Sequence, residues 1–143
     1  MVRLIRRTMN LDVKLIVGWV NRGGPKGFEN APAWVQMPER MPYYGSSEFK
    51  NLKMTILIRK SFLAQSTYEQ IAIAISHELS HIVLDSIGHP LRKEEKAVDL
   101  TAMLLGFSHL YRRAAINKTY FQHRIETHRL GYLTEAELGP VLN

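Results

Sequence analysis

The longest stretch with a single hydrophobic pattern covers residues 66–88. Apolar residues recur there at helical spacing and also occupy much of the remaining surface: Ile71, Ala72, Ile73, Ala74, Ile75, Leu79 and Ile82. The start fits a capping box in which the Ser66 hydroxyl accepts from the Glu69 N–H and the Glu69 side chain reaches back. Gly88 followed by Pro90 supplies a stop. A helix that is apolar on nearly all sides belongs in the core, so the pattern predicts a central helix.

Three shorter segments have the composition or alternation of strands. Residues 11–20 are rich in β-branched and aromatic residues and end at a glycine- and proline-rich turn. In residues 53–63, apolar side chains alternate between two faces. Residues 33–37 form a short candidate strand inside segment 23–47, which is otherwise rich in proline and glycine. We therefore expect a small sheet beside the central helix.

A second helix is predicted over residues 91–110. Pro90 lies close to its first turn, and Glu94 and Glu95 place negative charge near its N-terminus, where the helix dipole favours it. Residues 111–129 mix helix-forming and charged residues. Thr134 and Glu137 form another capping box, which predicts a short terminal helix.

Composition places the chain among ordinary globular proteins. Its 143 residues are 45% hydrophobic and 22% charged, which fits one domain over residues 1–143 with one core. The absence of cysteine excludes disulfides, thiolate metal sites and a cysteine nucleophile. No apolar run approaches the length of a membrane span, and no signal-peptide pattern follows the first residues. We expect a cytoplasmic protein with no membrane partner.

The formal net charge of +6 permits contact with phosphate groups or nucleic acid. The basic residues gather near the N-terminus and in the last third of the chain: Arg3, Arg6, Arg7, Arg112, Arg113, Lys118, Arg124 and Arg129. They form no run of five or six like charges, which favours a solvated basic surface. Nucleic acid is therefore an allowed partner and not a required one.

The predicted central helix contains the motif His77-Glu78-Leu79-Ser80-His81. Residues four apart lie on one helix face, so His77 and His81 can direct two imidazole nitrogens at one metal ion. In this H-E-x-x-H arrangement the histidines hold Zn²⁺ and Glu78 activates a zinc-bound water. The alternative is a pair of hydrogen-bonded core histidines. Burying both imidazoles and a carboxylate without a partner would cost several kcal/mol, which favours the metal site.

A catalytic zinc site needs a third protein ligand. The metzincin pattern fails, because it requires a histidine where this chain has Ile87. Asp85, one turn beyond His81, and His89, past the glycine stop, are two candidates that the spacing leaves open. Asp85 sits further along the helix than a shared tetrahedral site would favour, and His89 is a looser alternative beyond the helix end.

His77-Glu78-Leu79-Ser80-His81 together with Glu95-Lys96-Ala97-Val98-Asp99 resembles the gluzincin group of zinc metallopeptidases. The resemblance covers residues 54–107 and extends more loosely to the ImmA/IrrE and SprT-like metallopeptidase domains. It implies Glu95 as the third zinc ligand and Asp99 as the carboxylate that hydrogen-bonds His77. Glu94 remains an alternative ligand. Two features differ from many members of that group: the valine at position 98 and the short stretch of chain between the two motifs.

The resemblance also implies an α+β, zincin-like fold, with a small mixed sheet packed on the motif helix and a second ligand-bearing helix. The implied function is zinc-dependent hydrolysis of a protein or peptide substrate, with Glu78 as the general base. The strand at 53–63 is then either the edge of the sheet above the metal or an ordinary interior strand. Several residues could stabilise the oxyanion: His109, Tyr111, His123, His128 and Tyr132. A zinc-stabilised regulatory or nucleic-acid-associated module is the alternative function.

Overall fold

The computed structural model describes residues 1–24 and 30–116, which form an α+β arrangement of a three-stranded sheet and helices. The strands are β1 (Lys14–Val20), β2 (Ala33–Gln36) and β3 (Lys53–Arg59). The helices are α1 (Val2–Thr8), α2 (Ser47–Asn51), α3 (Lys60–Gln65), α4 (Tyr68–Ser86), α5 (Glu95–Ala102) and α6 (Ser108–Ile116). A π-helical segment, Met103–Phe107, joins α5 to α6. No helix within these two ranges is both long enough and apolar enough to cross a membrane.

The sheet is mixed, and β3 is its central strand. β1 pairs with β3 in parallel, and β2 pairs with it antiparallel on the other side. The predicted alternation in this segment is confirmed, because Met54, Ile56 and Ile58 are all buried. Of the two roles considered for the segment, the interior strand is confirmed and the edge strand is wrong. The shorter β2 is the edge strand that contacts α4.

The central helix α4 is buried along most of its length, as its apolar surface predicts. Its N-cap is Thr67, one residue later than the predicted N-cap. Thr67 Oγ1 accepts from the Gln70 N–H at 3.2 Å, and Gln70 Oε1 accepts from the Thr67 N–H at 3.0 Å. The capping box predicted at Ser66 and Glu69 is therefore wrong. In the observed register, neutral Gln70 is buried while charged Glu69 stays near solvent.

The end of α4 agrees with the prediction. Gly88 adopts a φ of 62°, a conformation that glycine accepts without strain. The Gly88 N–H donates to the Asp85 carbonyl, and the His89 N–H donates to the Leu84 carbonyl. These two bonds form a Schellman motif, which closes the helix.

The predicted helix over residues 91–110 is wrong in both bounds and continuity. Turns occupy the chain after Gly88, so α5 begins only at Glu95. The helix is then interrupted at Gly106, whose φ of 118° lies outside the helical region. α6 leaves this kink in a new direction and contacts α4. Glycine inside a helical pattern marked this position, but spacing alone does not distinguish a tolerated glycine from a break.

Three short helices were not predicted, since none is long enough to show a clear hydrophobic period. Each buries a residue in the core: Ile5 in α1, Phe49 in α2 and Phe62 in α3. α3 takes up the residues that had been assigned to the end of the strand at 53–63. The terminal helix predicted at Thr134 and Glu137, and most of the stretch 111–129, lie outside the described residues.

The capping geometry yields a test that separates adjacent hydroxyls. Replacing Thr67 with Ala should lower the free energy of unfolding by about 1 kcal/mol, because the Gln70 N–H loses its acceptor. Ser66→Ala is the matched control. The buried Ser66 hydroxyl has no hydrogen-bond partner in the described part of the chain, so its removal should leave stability unchanged or slightly higher. Urea unfolding of both variants measures the difference, and equal losses would contradict the observed cap.

Candidate metal centre

The two motif histidines lie on one face of α4, as the four-residue spacing predicts. Their ring centroids are 4.9 Å apart, with the ring planes at 81°. His77 is buried and His81 is half-buried. One ligand atom from each of His77, Glu78 and His81 lies within 4.8 Å of the others, so this group could bind a metal ion.

Glu95 brings a third donor to the same point from the first residue of α5. Its Oε2 atom lies 2.9 Å from His77 Nε2 and 3.4 Å from His81 Nε2. α5 packs directly against α4, which places the N-terminus of α5 above the histidine pair. The structure thus brings together His77, His81 and Glu95, three of the residues predicted for the site.

Asp99 contacts the other side of the His77 ring. Its Oδ1 atom lies 2.8 Å from His77 Nδ1, and its side chain is completely buried. Glu95 and Asp99 are four residues apart, so they share one face of α5 and enclose the imidazole between them. The hydrogen bond to Nδ1 fixes the orientation of the ring and leaves Nε2 directed at Glu95 and His81.

Both nitrogens of His77 therefore face carboxylate oxygens. Burial alone would lower the pKa of His77, but the hydrogen bonds to Asp99 and Glu95 outweigh it and raise the pKa to about 10. Burial alone would likewise raise the pKa of Glu95, yet hydrogen bonds from His77 and His81 lower it to about 2. The His77 ring is thus enclosed by two carboxylates, and its raised pKa favours the imidazolium form.

Glu78 lies beside the histidine pair at the start of a cavity. Burial raises the pKa of its carboxyl group, while electrostatic interaction with the nearby imidazoles of His77 and His81 and a hydrogen bond from the Val35 N–H oppose the rise. A carboxylate with a raised pKa accepts a proton more readily near neutral pH. Glu78 thus combines a position beside the histidine pair with a raised pKa.

The cavity in front of the site has a volume of about 400 Å³. Val35 and Met37, from the edge strand β2 and the residues after it, form its apolar wall. The polar wall includes three carboxylates, one imidazole and two cationic side chains: Glu78, Asp85, Glu95, His81, Arg92 and Lys93. Two candidate ligands, His81 and Glu95, and the candidate base Glu78 therefore line one cavity that is bordered by a sheet edge.

The other candidate ligands do not join the group formed by His77, His81 and Glu95. Glu94 is the exposed N-cap of α5. Asp85 lines the cavity but lies 3.7 Å from the Arg92 guanidinium, and His89 Nδ1 accepts from the Leu91 N–H in the turn after α4. These placements favour Glu95 as the third donor.

Two of the residues considered for oxyanion stabilisation are described. His109 is exposed on α6 and does not line the cavity, whereas Tyr111 is buried and donates its hydroxyl to Asp99 Oδ1 at 2.7 Å. No local pattern in the sequence predicts this contact, because it depends on the kink at Gly106. His123, His128 and Tyr132 lie outside the described residues.

Comparison with known proteins adds no relative. No family model matches the chain, and no curated protein or solved structure matches it. The positions and charges of the described residues therefore carry the functional interpretation.

Removing the Asp99 carboxylate tests the buried arrangement. Asp99→Ala should lower the free energy of unfolding of the metal-free protein by about 3–5 kcal/mol, because the buried imidazolium and the Tyr111 hydroxyl lose their acceptor. Asp99→Asn keeps an acceptor oxygen and should lose less. Asp85→Ala is the control, since its partly exposed pair with Arg92 should contribute less than about 1 kcal/mol. Urea unfolding in the presence of a chelator measures all three, and a small loss for Asp99→Ala would contradict the arrangement.

Proposed function

We propose that the protein is a zinc-dependent metallopeptidase of the gluzincin type with a zincin-like fold. One observation carries the proposal: His77, His81 and Glu95 converge from two helices while the buried Asp99 holds the far side of the His77 ring. The resemblance of the two sequence motifs to gluzincins supports the same assignment. Both lines of support concern the same residues.

The donor set suits Zn²⁺. Tetrahedral zinc with bonds of about 2.0–2.1 Å to nitrogen and oxygen separates its ligand atoms by roughly 3.3 Å. The separations from Glu95 Oε2 to His77 Nε2 and His81 Nε2 are 2.9 and 3.4 Å. A hydrogen on His77 Nδ1, donated to Asp99, leaves the Nε2 lone pair for a metal, which would take the place of the second ring proton. His77, His81 and Glu95 would hold the ion.

In this proposal the chain's residues divide the work of peptide hydrolysis. A bound zinc ion would supply positive charge that polarises the scissile carbonyl and makes water more acidic. Glu78 removes a proton from the attacking water and delivers it to the leaving nitrogen. Asp99 keeps His77 in one tautomer and one orientation throughout.

The edge strand β2 is the proposed place for an extended substrate. Within the described residues β2 pairs with β3 alone, which leaves its other edge beside the cavity. A peptide could add to that edge as a further strand, with main-chain hydrogen bonds supplying affinity. Val35 and Met37 would contact its side chains.

Metal analysis tests the ligand assignment. The purified protein should contain one zinc ion per chain, and Glu95→Ala should lose it or bind it far more weakly. Glu94→Ala is the matched control, because Glu94 is exposed and caps the helix without a side-chain hydrogen bond. Zinc content after dialysis measures the result. Loss of zinc in Glu94→Ala alone would reverse the assignment, and wild-type protein that binds no zinc would refute the metal site.

Glu78→Gln tests hydrolysis separately from metal binding. The variant should retain zinc, because Glu78 is not a proposed ligand, but its cleavage of a fluorescently labelled denatured protein should fall by about 10²–10⁴-fold. If zinc remains and activity is unchanged, Glu78 is not the base.

The alternative, a zinc-stabilised module that contacts nucleic acid, predicts no cleavage and DNA binding that weakens steeply with salt. DNA binding that does not change between dilute and physiological salt would exclude this alternative.

A further inference from the structure

The mechanism above does not use the buried phenol of Tyr111. Its side chain is 4% exposed, and its hydroxyl donates to Asp99 Oδ1 at 2.7 Å. The same Oδ1 atom lies 2.8 Å from His77 Nδ1. One carboxylate oxygen therefore connects α6 with the first candidate metal ligand on α4.

The contact depends on the path of the chain. Asp99 and Tyr111 are twelve residues apart, a separation of about 18 Å along a straight α-helix. The break at Gly106 turns α6 back so that the phenol reaches Asp99. A substitution at Gly106 would be strained at its φ of 118°, and a Cβ atom there would lie 3.4 Å from Thr8 Cγ2. That distance is an ordinary van der Waals contact, so the backbone conformation at Gly106, and not a lack of space, is what favours glycine at this turn.

Two other roles for Tyr111 fit the structure less well. An oxyanion donor must face the cavity, but Tyr111 is not among the residues that line it. A tyrosine that merely fills the core needs no polar contact with the site, whereas this hydroxyl shares its acceptor atom with a histidine of the motif.

We propose that Tyr111 is a positioning residue of the metal site, which holds Asp99 Oδ1 where it can orient the His77 ring. The inference rests on the proposed function, because it assigns Tyr111 a role in metal affinity. Donation from the phenol restricts rotation of the Asp99 carboxylate. The carboxylate then keeps the Nδ1–H in line and directs His77 Nε2 at the point shared with His81 and Glu95. Outer contacts of this kind are worth about 10–100-fold in metal affinity when they touch a ligand directly.

The test is the zinc affinity of Tyr111→Phe, measured by competition with a chelating dye. The variant removes a single oxygen atom, and its affinity should fall by about 10-fold. Tyr44→Phe is the matched control, because the Tyr44 hydroxyl donates to the Asn10 carbonyl, away from the site. It should bind zinc as the wild type does. Unchanged affinity in Tyr111→Phe would overturn the proposal, whereas a wild-type protein without zinc would refute the metal site itself.

A double-mutant cycle distinguishes positioning from general loosening. In an Asp99→Ala background, Tyr111→Phe should cause no further loss of zinc affinity, since its effect passes through Asp99. A loss of the same size in both backgrounds would overturn the proposal.

The wild-type protein provides a readout that requires no variant. In the zinc-loaded protein, proton NMR should show a slowly exchanging Tyr111 O–H close in space to the His77 Nδ1–H. Absence of that proximity, with both protons assigned, would also overturn the proposal.

Discussion

The hydrogen bond between His77 Nδ1 and Asp99 Oδ1 joins α4 to α5 in the interior, where both side chains are shielded from water. Asp99 is fully buried and His77 nearly so. A lone charge at this depth would cost several kcal/mol, so the two helices must meet with these side chains in register. The contact between His77 and Asp99 therefore constrains how α5 packs on α4. The position of Glu95 depends on that packing.

Glu95 is placed by the same constraint. It lies one helical turn before Asp99, so once Asp99 holds one nitrogen of the imidazole, Glu95 must approach the other. Its position in the first turn of α5 also favours its negative charge, because the positive end of the helix dipole is there. The Glu-x-x-x-Asp spacing thus matches the width of a single histidine ring. The hydrogen bonds that result outweigh the effect of burial, so they raise the pKa of His77 and lower the pKa of Glu95.

Features that depend on neighbouring residues could be predicted from the sequence, and features that depend on distant contacts could not. The burial of α4, its stop at Gly88 and the convergence of His77 with His81 follow from local spacing. The predicted cap is one residue too early, because Ser66 with Glu69 and Thr67 with Gln70 both fit the capping-box pattern. Burial selects the second pair, since Gln70 is neutral. The central position of β3 and the contact of Tyr111 with Asp99 depend on how separate elements meet, which no local pattern encodes.

The kink at Gly106 limits how far the chain can be shortened without exposing the candidate metal site. A fragment that ended at Phe107 would keep every residue of both motifs and all three strands. It would nevertheless lack the phenol that reaches Asp99 from beyond the kink, and a buried carboxylate oxygen would open to the space that α6 had filled. A fragment can therefore contain both motifs and still be too short to bury the Asp99 carboxylate.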